Sequence, residues 1–263
     1  MLKSSKKNNT ASELEKFLWY SYFSVPYFVP ESDKDKNKLI KICADRAYLD
    51  LSRRLVFTDN YKGDTKNKKE LRQEFRSNIC ETILEQVKIL LESSATDFDT
   101  KHDEACDAII KEANNKGILK PCDGFDKAFT YGHAQKWLNM TLKYMRLTGF
   151  WDDEFERLKD VMHIPVDSYI LKAASAKSSK DGYGMDAEIA PAYHDTYYCK
   201  NTKSLTEYHE DGANKSQPWS KWNKDDYKKF LDAIRDVLKK KPPASSLVEW
   251  EALAWIEQAK EVK

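Results

Sequence analysis

Two residues with reactive side chains, Lys136 and Asp167, stand near the starts of neighbouring helical patterns. Lys136 lies in YGHAQKWLNMTLKYM (131–145), directly before the first large apolar residue of an amphipathic pattern. An ammonium group in the first turn of a helix faces the positive end of the helix dipole, so its charged form is disfavoured and a free amine is easier to obtain. A free amine can attack a sugar carbon and form a Schiff base. The alternative is that Lys136 simply points into water.

Asp167 lies in HIPVDSYILKAA (163–174), where it takes the N-cap position of the next helical pattern. An N-cap aspartate is an ordinary structural residue that contributes about 1 kcal/mol. Beside a reactive amine, the same carboxylate could stabilise an oxocarbenium ion or orient the attacking group, as carboxylates do in glycoside cleavage. Each residue alone is more simply explained as structural, whereas the two together indicate a chemical role.

The two runs G-H-A-Q-K-W-L-N and I-P-V-D-S-Y-I resemble the core of the helix-hairpin-helix (HhH-GPD) DNA glycosylase superfamily. The resemblance covers about residues 125–174. It implies that Lys136 is the catalytic lysine and Asp167 the catalytic aspartate. The long gap between them is most similar to the archaeal 8-oxoguanine DNA glycosylase branch. Two features depart from the family: Ala134 replaces a common second glycine, and no cysteine-rich iron–sulfur loop follows Asp167.

This resemblance implies an enzyme that flips a damaged or modified base out of DNA and cleaves its N-glycosidic bond. AP lyase activity through a lysine Schiff base is a further expectation, and no cofactor is required. The resemblance places a phosphate-binding hairpin at Tyr131, Gly132, His133, Ala134 and Gln135. It places the pocket for the base at Glu251 and Trp255. Met140, one helical turn after Lys136, could line the same pocket or only pack against its neighbours. For Trp255 and its neighbour Trp250, a place in the hydrophobic core of the last helix is the alternative.

The sequence does not determine which base is removed from DNA. An oxidised purine would indicate DNA repair, whereas a hypermodified phage cytosine, for example a glucosylated one, would indicate antiphage defence. A rival from another class is a non-catalytic helical module that binds DNA or a protein.

Helical periodicity recurs along the chain on both sides of residues 178–222, and the sequence has only 8 glycines, so we expect an all-α fold. By resemblance it has two helical lobes, a helix-hairpin-helix motif and a cleft between the lobes. The predicted helices cover 11–24, 34–57, 67–93, 102–115, 133–147, 152–162, 167–177, 224–240 and 247–261. We expect one glycosylase domain over 1–263, comprising an N-terminal helical lobe (10–116), the hairpin and catalytic helices (117–177), an inserted loop (178–222) and C-terminal helices (223–263).

The inserted loop has no sustained periodicity. Its five tyrosines argue against plain disorder, since disordered segments are poor in aromatic residues. A binding loop and a mobile linker remain equally plausible interpretations, and long loops of this kind are often functional.

Composition gives no direct evidence for a partner, because 44 basic residues balance 43 acidic ones. Any DNA contact must therefore come from a local basic surface. The five scattered cysteines predict buried free thiols, and the histidine spacings do not suggest a metal site. The polar N-terminus and the lack of a long apolar run predict a soluble, cytoplasmic protein without membrane contact, which we expect to be a monomer.

Overall fold

The computed structural model describes residues 11–58, 68–115, 117–121, 128–174, 196–199, 204–207, 215–217, 219–240 and 246–260. Most of them are helical, which confirms the predicted all-α class. The α-helices are α1 (Glu13–Phe23), α2 (Asp33–Leu51), α3 (Lys68–Glu92), α4 (Phe98–Asn115), α5 (Tyr131–Thr148), α6 (Asp152–Leu158), α7 (Ser168–Ala173), α8 (Lys224–Lys240) and α9 (Leu247–Lys260). Short 3-10 turns cover Ser52–Arg54 and Trp219–Lys221.

Three short strands lie within the segment 178–222, where the sequence predicts a loop. They are β1 (Thr196–Cys199), β2 (Ser204–Glu207) and β3 (Lys215–Gln217), and they form an antiparallel sheet in chain order. Tyr197 pairs with Thr206, and Thr206 pairs with Ser216. Aromatic and β-branched residues favour strands, so the loop prediction is wrong for these stretches. The other residues of 178–222, apart from 219–222, lie outside the described residues.

Helix α5 is the central element of the fold. It packs against α2, α4 and α8, and 15 of its 18 residues are buried. Thr130 caps its first turn, and Gly149 ends it in the left-handed conformation with φ 71°. The sequence predicts an amphipathic helix here, but neighbouring elements cover its polar residues as well. Buried polar groups need partners, so the polar side chains of α5 must hold other parts of the chain.

The helical pattern predicted for 34–57 is interrupted before it ends. Helix α2 stops at Leu51, the turn Ser52–Arg54 follows, and Phe57 then forms an isolated β-bridge with Leu119. The side chains of Arg53 and Arg54 are exposed at this break.

The hydrophobic core is one continuous cluster that includes residues from α2, α3, α4, α5 and α8. The thiols of Cys43, Cys80 and Cys106 are buried within it and free, which confirms the prediction for these three cysteines. Among the described helices, none combines the length and the apolar character that a membrane crossing requires.

Candidate active site

The side chains of Lys136 and Asp167 meet on the wall of an open pocket with a volume of about 940 Å³, here called the Lys136 pocket. The predicted base-binding residues Met140, Glu251 and Trp255 line the same pocket. The remaining lining residues are Tyr22, Arg46, Asp50, Arg53, Arg54, Lys143, Tyr144, Leu147, Tyr169, Trp219, Ala252 and Ile256. Five residues from three separate stretches of the sequence, which were predicted to act together, therefore share one pocket.

Lys136 forms an ion pair with Asp167. Its Nζ donates a hydrogen bond to Asp167 Oδ2 at 2.7 Å, and the lysine is only 4% exposed. The expectation that Lys136 lies in the first turn of its helix is wrong, because α5 begins at Tyr131 and Lys136 is its sixth residue. The influence of the helix dipole falls off within the first turn. The immediate environment of the amine is therefore set by the carboxylate of Asp167.

Asp167 uses its two carboxylate oxygens for different purposes. Oδ1 accepts hydrogen bonds from the backbone N–H groups of Tyr169 at 2.9 Å and Ile170 at 3.1 Å. Oδ2 accepts the hydrogen bond from Lys136. The prediction of an N-cap aspartate is confirmed, and the cap also orients the second oxygen toward the lysine. The structural and chemical interpretations of Asp167 are thus compatible.

Two amide side chains of α5 hold the segment that carries Asp167. Gln135 Nε2 donates to the carbonyl oxygen of Val166 at 3.1 Å, and the Val166 N–H donates to Gln135 Oε1 at 3.1 Å. One turn later, Asn139 Nδ2 donates to the carbonyl oxygen of Ile164 at 3.0 Å. Because all of these groups are buried, leaving one unpaired would cost about 1–3 kcal/mol. These three hydrogen bonds of Gln135 and Asn139, here called the clamp, hold Asp167 in place relative to Lys136.

Asn139 extends this clamp into a buried polar network. Its Nδ2 donates to the hydroxyl oxygen of Tyr227 on α8 at 2.8 Å, and its Oδ1 lies 2.9 Å from His102 Nε2 on α4. The His102 ring lies against the ring of His163, with centroids 3.9 Å apart and the ring planes tilted by 43°. Burial lowers the pKa values of both histidines, so both are neutral near pH 7. Three helices and the 163–167 segment therefore meet at Asn139.

The five residues predicted to form a DNA-binding hairpin are buried and belong to the first turns of α5. The N–H of Gly132 donates to the carbonyl oxygen of Trp222, and a side chain at Gly132 would overlap the carbonyl oxygen of Trp219. The N–H of His133 donates to the Thr130 hydroxyl oxygen. Phosphate binding at a helix start requires free N–H groups. The assignment of Tyr131, Gly132, His133, Ala134 and Gln135 as DNA-binding residues is therefore wrong, and they pack this helix into the protein.

Glu251 and Trp255 project from α9 into the Lys136 pocket. Both carboxylate oxygens of Glu251 accept hydrogen bonds from Lys143 Nζ, at 2.8 and 2.9 Å. Burial raises the pKa of Glu251, and Lys143 partly counters that effect. Trp255 is 40% exposed, and its ring lies 5.6 Å from that of Tyr169. Of the two tryptophans considered for the core, Trp250 is buried and Trp255 is not.

Several pocket residues were not singled out in the sequence. Lys143 and Leu147 follow Lys136 by seven and eleven residues, which is the spacing of one face of a helix, so that spacing could have revealed them. Arg46, Asp50 and Arg53 share a similar spacing near the end of α2. Their approach to α5 depends on helix packing, which local sequence patterns do not report.

The Lys136 pocket combines charge with aromatic surface. Five basic and three acidic side chains line it, although the chain as a whole is nearly neutral. Such a local excess of positive charge favours a negatively charged ligand. No protein-family model, curated protein or solved structure is similar enough to this chain to count as a match. The interpretation of the site therefore depends on its own geometry and on the resemblance described above.

Proposed function

We propose that this protein is a DNA glycosylase of the helix-hairpin-helix type, which flips a damaged or modified base into the Lys136 pocket and cleaves its N-glycosidic bond. The observation that carries the proposal is the partly buried contact of 2.7 Å between Lys136 and Asp167, at the wall of a pocket large enough for a flipped base. Ligand pockets commonly have volumes of about 300–1,000 Å³.

The proposed chemistry begins with proton transfer from the Lys136 ammonium to the carboxylate of Asp167, which leaves a neutral amine. The amine attacks C1′ of the flipped nucleotide, and the bond between C1′ and the base nitrogen breaks, with its electron pair leaving on the base. Asp167 gives the proton it received to the departing base and is then a carboxylate again, which stabilises the positive charge left on the attached amine and the sugar. As the sugar ring opens, the attached nitrogen loses one proton to the ring oxygen, and the protonated Schiff base results.

Other residues of the pocket suit recognition of the base itself. The exposed ring of Trp255, close to that of Tyr169, offers a surface on which a base can stack. Beside it, Lys143 supplies donors and Glu251 supplies acceptors for the polar edge of a base. Aromatic stacking together with a few polar contacts is how enzymes that flip bases hold them.

Contact with the DNA backbone is proposed for Arg53 and Arg54, because the hairpin residues are buried. Both arginines are exposed, and both line the pocket where α2 ends. Arginine binds phosphate oxygens strongly, and such contacts position DNA without reading its sequence.

The substrate of the proposed reaction is either an oxidised purine or a hypermodified cytosine such as a glucosylated one. The first would make the protein a repair enzyme and the second a factor in antiphage defence. We propose that it acts as a monomer in the cytoplasm.

The proposal is tested by base release and covalent trapping. Duplexes containing 8-oxoguanine, glucosylated hydroxymethylcytosine or only normal bases are incubated with the protein, and released bases are identified by mass spectrometry. Lys136→Gln should abolish borohydride trapping to DNA, because the nucleophilic amine is lost. Asp167→Asn should lower the rate of base release by about a hundredfold or more, as expected when a charge-stabilising group is removed.

The matched control is Lys101→Gln, which breaks a lysine–carboxylate pair on the surface, where Lys101 contacts Glu104 at 2.8 Å. This variant should release bases at the parent rate. Binding to DNA without release from any duplex would contradict the glycosylase proposal and support a non-catalytic DNA-binding module.

A further inference from the structure

Four residues at the end of the Lys136 pocket away from Asp167 form a compact cluster, here called the Arg46–Asp50 cluster. Arg46 Nη1 donates to Asp50 Oδ1 at 3.2 Å, and the hydroxyl of Tyr144 donates to Asp50 Oδ2. The Arg46 guanidinium lies 4.8 Å from the ring centroid of Tyr22 and 5.3 Å from that of Tyr144. None of these side chains has a part in the bond cleavage proposed above.

The cluster is offset from Lys136 along α5. Tyr144 follows Lys136 by eight residues on α5, which corresponds to about 12 Å along the helix. Both residues line the same pocket, and Met140 lies between them on the same face. A group attached to a base held in this pocket can therefore reach the cluster without leaving the pocket.

The Arg46–Asp50 cluster has unused hydrogen-bonding capacity that faces the pocket. A carboxylate offers about four acceptor sites, and Arg46 and Tyr144 occupy two of those on Asp50. A guanidinium has five N–H donors, of which the contact with Asp50 uses one. The side chains of Arg46 and Asp50 are 23% and 28% exposed, so a ligand can reach both.

This combination matches hydroxyl groups better than it matches phosphate. Each hydroxyl donates one hydrogen bond and accepts others, so a carboxylate next to a guanidinium can satisfy both roles. The partly exposed ring of Tyr22 offers an apolar surface for C–H groups. A phosphate would meet the negative charge of Asp50, whereas a sugar would not be repelled.

We propose that the Arg46–Asp50 cluster is a binding subsite for a polyhydroxylated substituent, such as a sugar, that is attached to the flipped base. This inference rests on the proposed function and deepens it, because it selects the glucosylated cytosine over the oxidised purine.

The test compares DNA that differs only in the sugar. Equilibrium binding is measured with two oligonucleotides, one containing a single glucosylated hydroxymethylcytosine and the other containing hydroxymethylcytosine without glucose. Lys136→Gln protein is used so that no substrate is consumed. It should bind the glucosylated oligonucleotide at least tenfold more tightly, because a site built to bond hydroxyl groups discriminates against an analogue that lacks them. Adding Asp50→Asn should remove that preference, while the amide oxygen still accepts the Tyr144 hydroxyl.

Asp45→Asn is the matched control, since Asp45 also lies on α2 and pairs with an arginine, Arg76, but does not line the pocket. This variant should keep the preference. Equal binding of the two oligonucleotides by the Lys136→Gln protein, or a preference that survives Asp50→Asn, would overturn the subsite. Base release by the parent protein is measured in parallel. Release without a preference for the sugar would reject only the subsite, whereas a preference without any release would reject only the glycosylase proposal.

Discussion

At the scale of single residues, Lys136 and Asp167 depend on each other unequally. Asp167 keeps two backbone N–H donors even without the lysine. Lys136 is buried, and its described hydrogen bond is to Asp167. Removing the carboxylate therefore leaves the buried ammonium without its hydrogen-bonded negative partner, whereas removing the ammonium leaves a carboxylate that still accepts two backbone N–H groups.

We therefore expect Asp167→Asn to destabilise the protein more than Lys136→Gln does. The difference should be about 1–3 kcal/mol in the free energy of unfolding, which is the usual cost of an unsatisfied buried polar group. Urea unfolding of the two variants measures it. The double variant Lys136→Gln/Asp167→Asn should recover part of the loss, because no charge then remains unpaired. A larger loss for Lys136→Gln would contradict the proposed asymmetry.

The sequence allowed prediction of residues whose role depends on local spacing or on the family resemblance. Lys136 and Asp167 belong to two short motifs, and Met140 lies one helical turn after Lys136. Glu251 and Trp255 are also one helical turn apart, so all five could be selected without a structure. Arg46, Asp50 and Tyr144 could not. Their proximity results from the packing of α2 against α5, and no local pattern reports which faces of two distant helices meet.

At the scale of elements, the first turns of α5 show how a motif can be recognised and its role misassigned. Gly132 is required by the close approach of the Trp219–Lys221 turn, not by a contact with phosphate. That turn lies almost ninety residues later in the chain, so the sequence around Gly132 carries no sign of it.

Replacing Gly132 by alanine should consequently destabilise the protein. Helix propensity alone predicts the opposite, a gain of up to about 1 kcal/mol, because alanine is the better helix former. The new Cβ would overlap the carbonyl oxygen of Trp219, and overpacking of this kind typically costs about 1–3 kcal/mol. Thermal unfolding of Gly132→Ala decides between the two, and a raised melting temperature would show that the turn does not press on α5.

The clamp between α5 and the 164–167 segment should affect the rate of catalysis because it fixes the position of Asp167 relative to Lys136. Gln135→Met keeps the length of the side chain but leaves the N–H and the carbonyl of Val166 without partners. We expect base release to slow by about ten- to a hundredfold, since small displacements of a reacting group have effects of that size. The Michaelis constant should change little, because Gln135 does not line the pocket.

Thr141→Val serves as the matched control for the clamp. Thr141 is also a buried polar residue of α5, but its hydroxyl donates within the helix, to the carbonyl oxygen of Trp137 at 2.8 Å. This variant should lose some stability and release bases at the parent rate. If both variants slow release equally, the effect of Gln135 reflects general destabilisation of α5.

At the scale of the whole molecule, the sequence predicted the helical class and the approximate helix boundaries because apolar residues recur with helical spacing on both sides of residues 178–222. It did not predict the strands in 196–217, where three- and four-residue stretches are too short for a periodic signal. It also did not reveal that α5 is enclosed by its neighbours, and this enclosure gives the molecule a property that extends beyond the site.

That property is a group of buried neutral histidines, which should make the fold sensitive to acid. Burial lowers the pKa of His133 to about 4, and it also lowers the pKa values of His102 and His163. In the unfolded chain these side chains have pKa values near 6.5, so the unfolded state binds more protons as the pH falls below about 6.5. Stability is therefore present above that pH and is lost on acidification toward the folded-state pKa values. The pKa of Glu251 is raised in the folded protein, so its protonation stabilises the fold on acidification. This effect comes from one group, whereas three histidines have the opposite effect.

We expect the free energy of unfolding to fall steadily between pH 6.5 and pH 5. His133 alone should account for about 2 kcal/mol of the loss by pH 5, at about 1.4 kcal/mol per pH unit. Urea unfolding at intervals from pH 7.5 to pH 5 measures the slope. His133→Asn should make the slope shallower, because asparagine can still accept the N–H of Thr130, which donates to His133 Nδ1 at 3.2 Å, and has no proton to gain. A parent profile that is flat over this range would mean that the three histidines are not held neutral by burial.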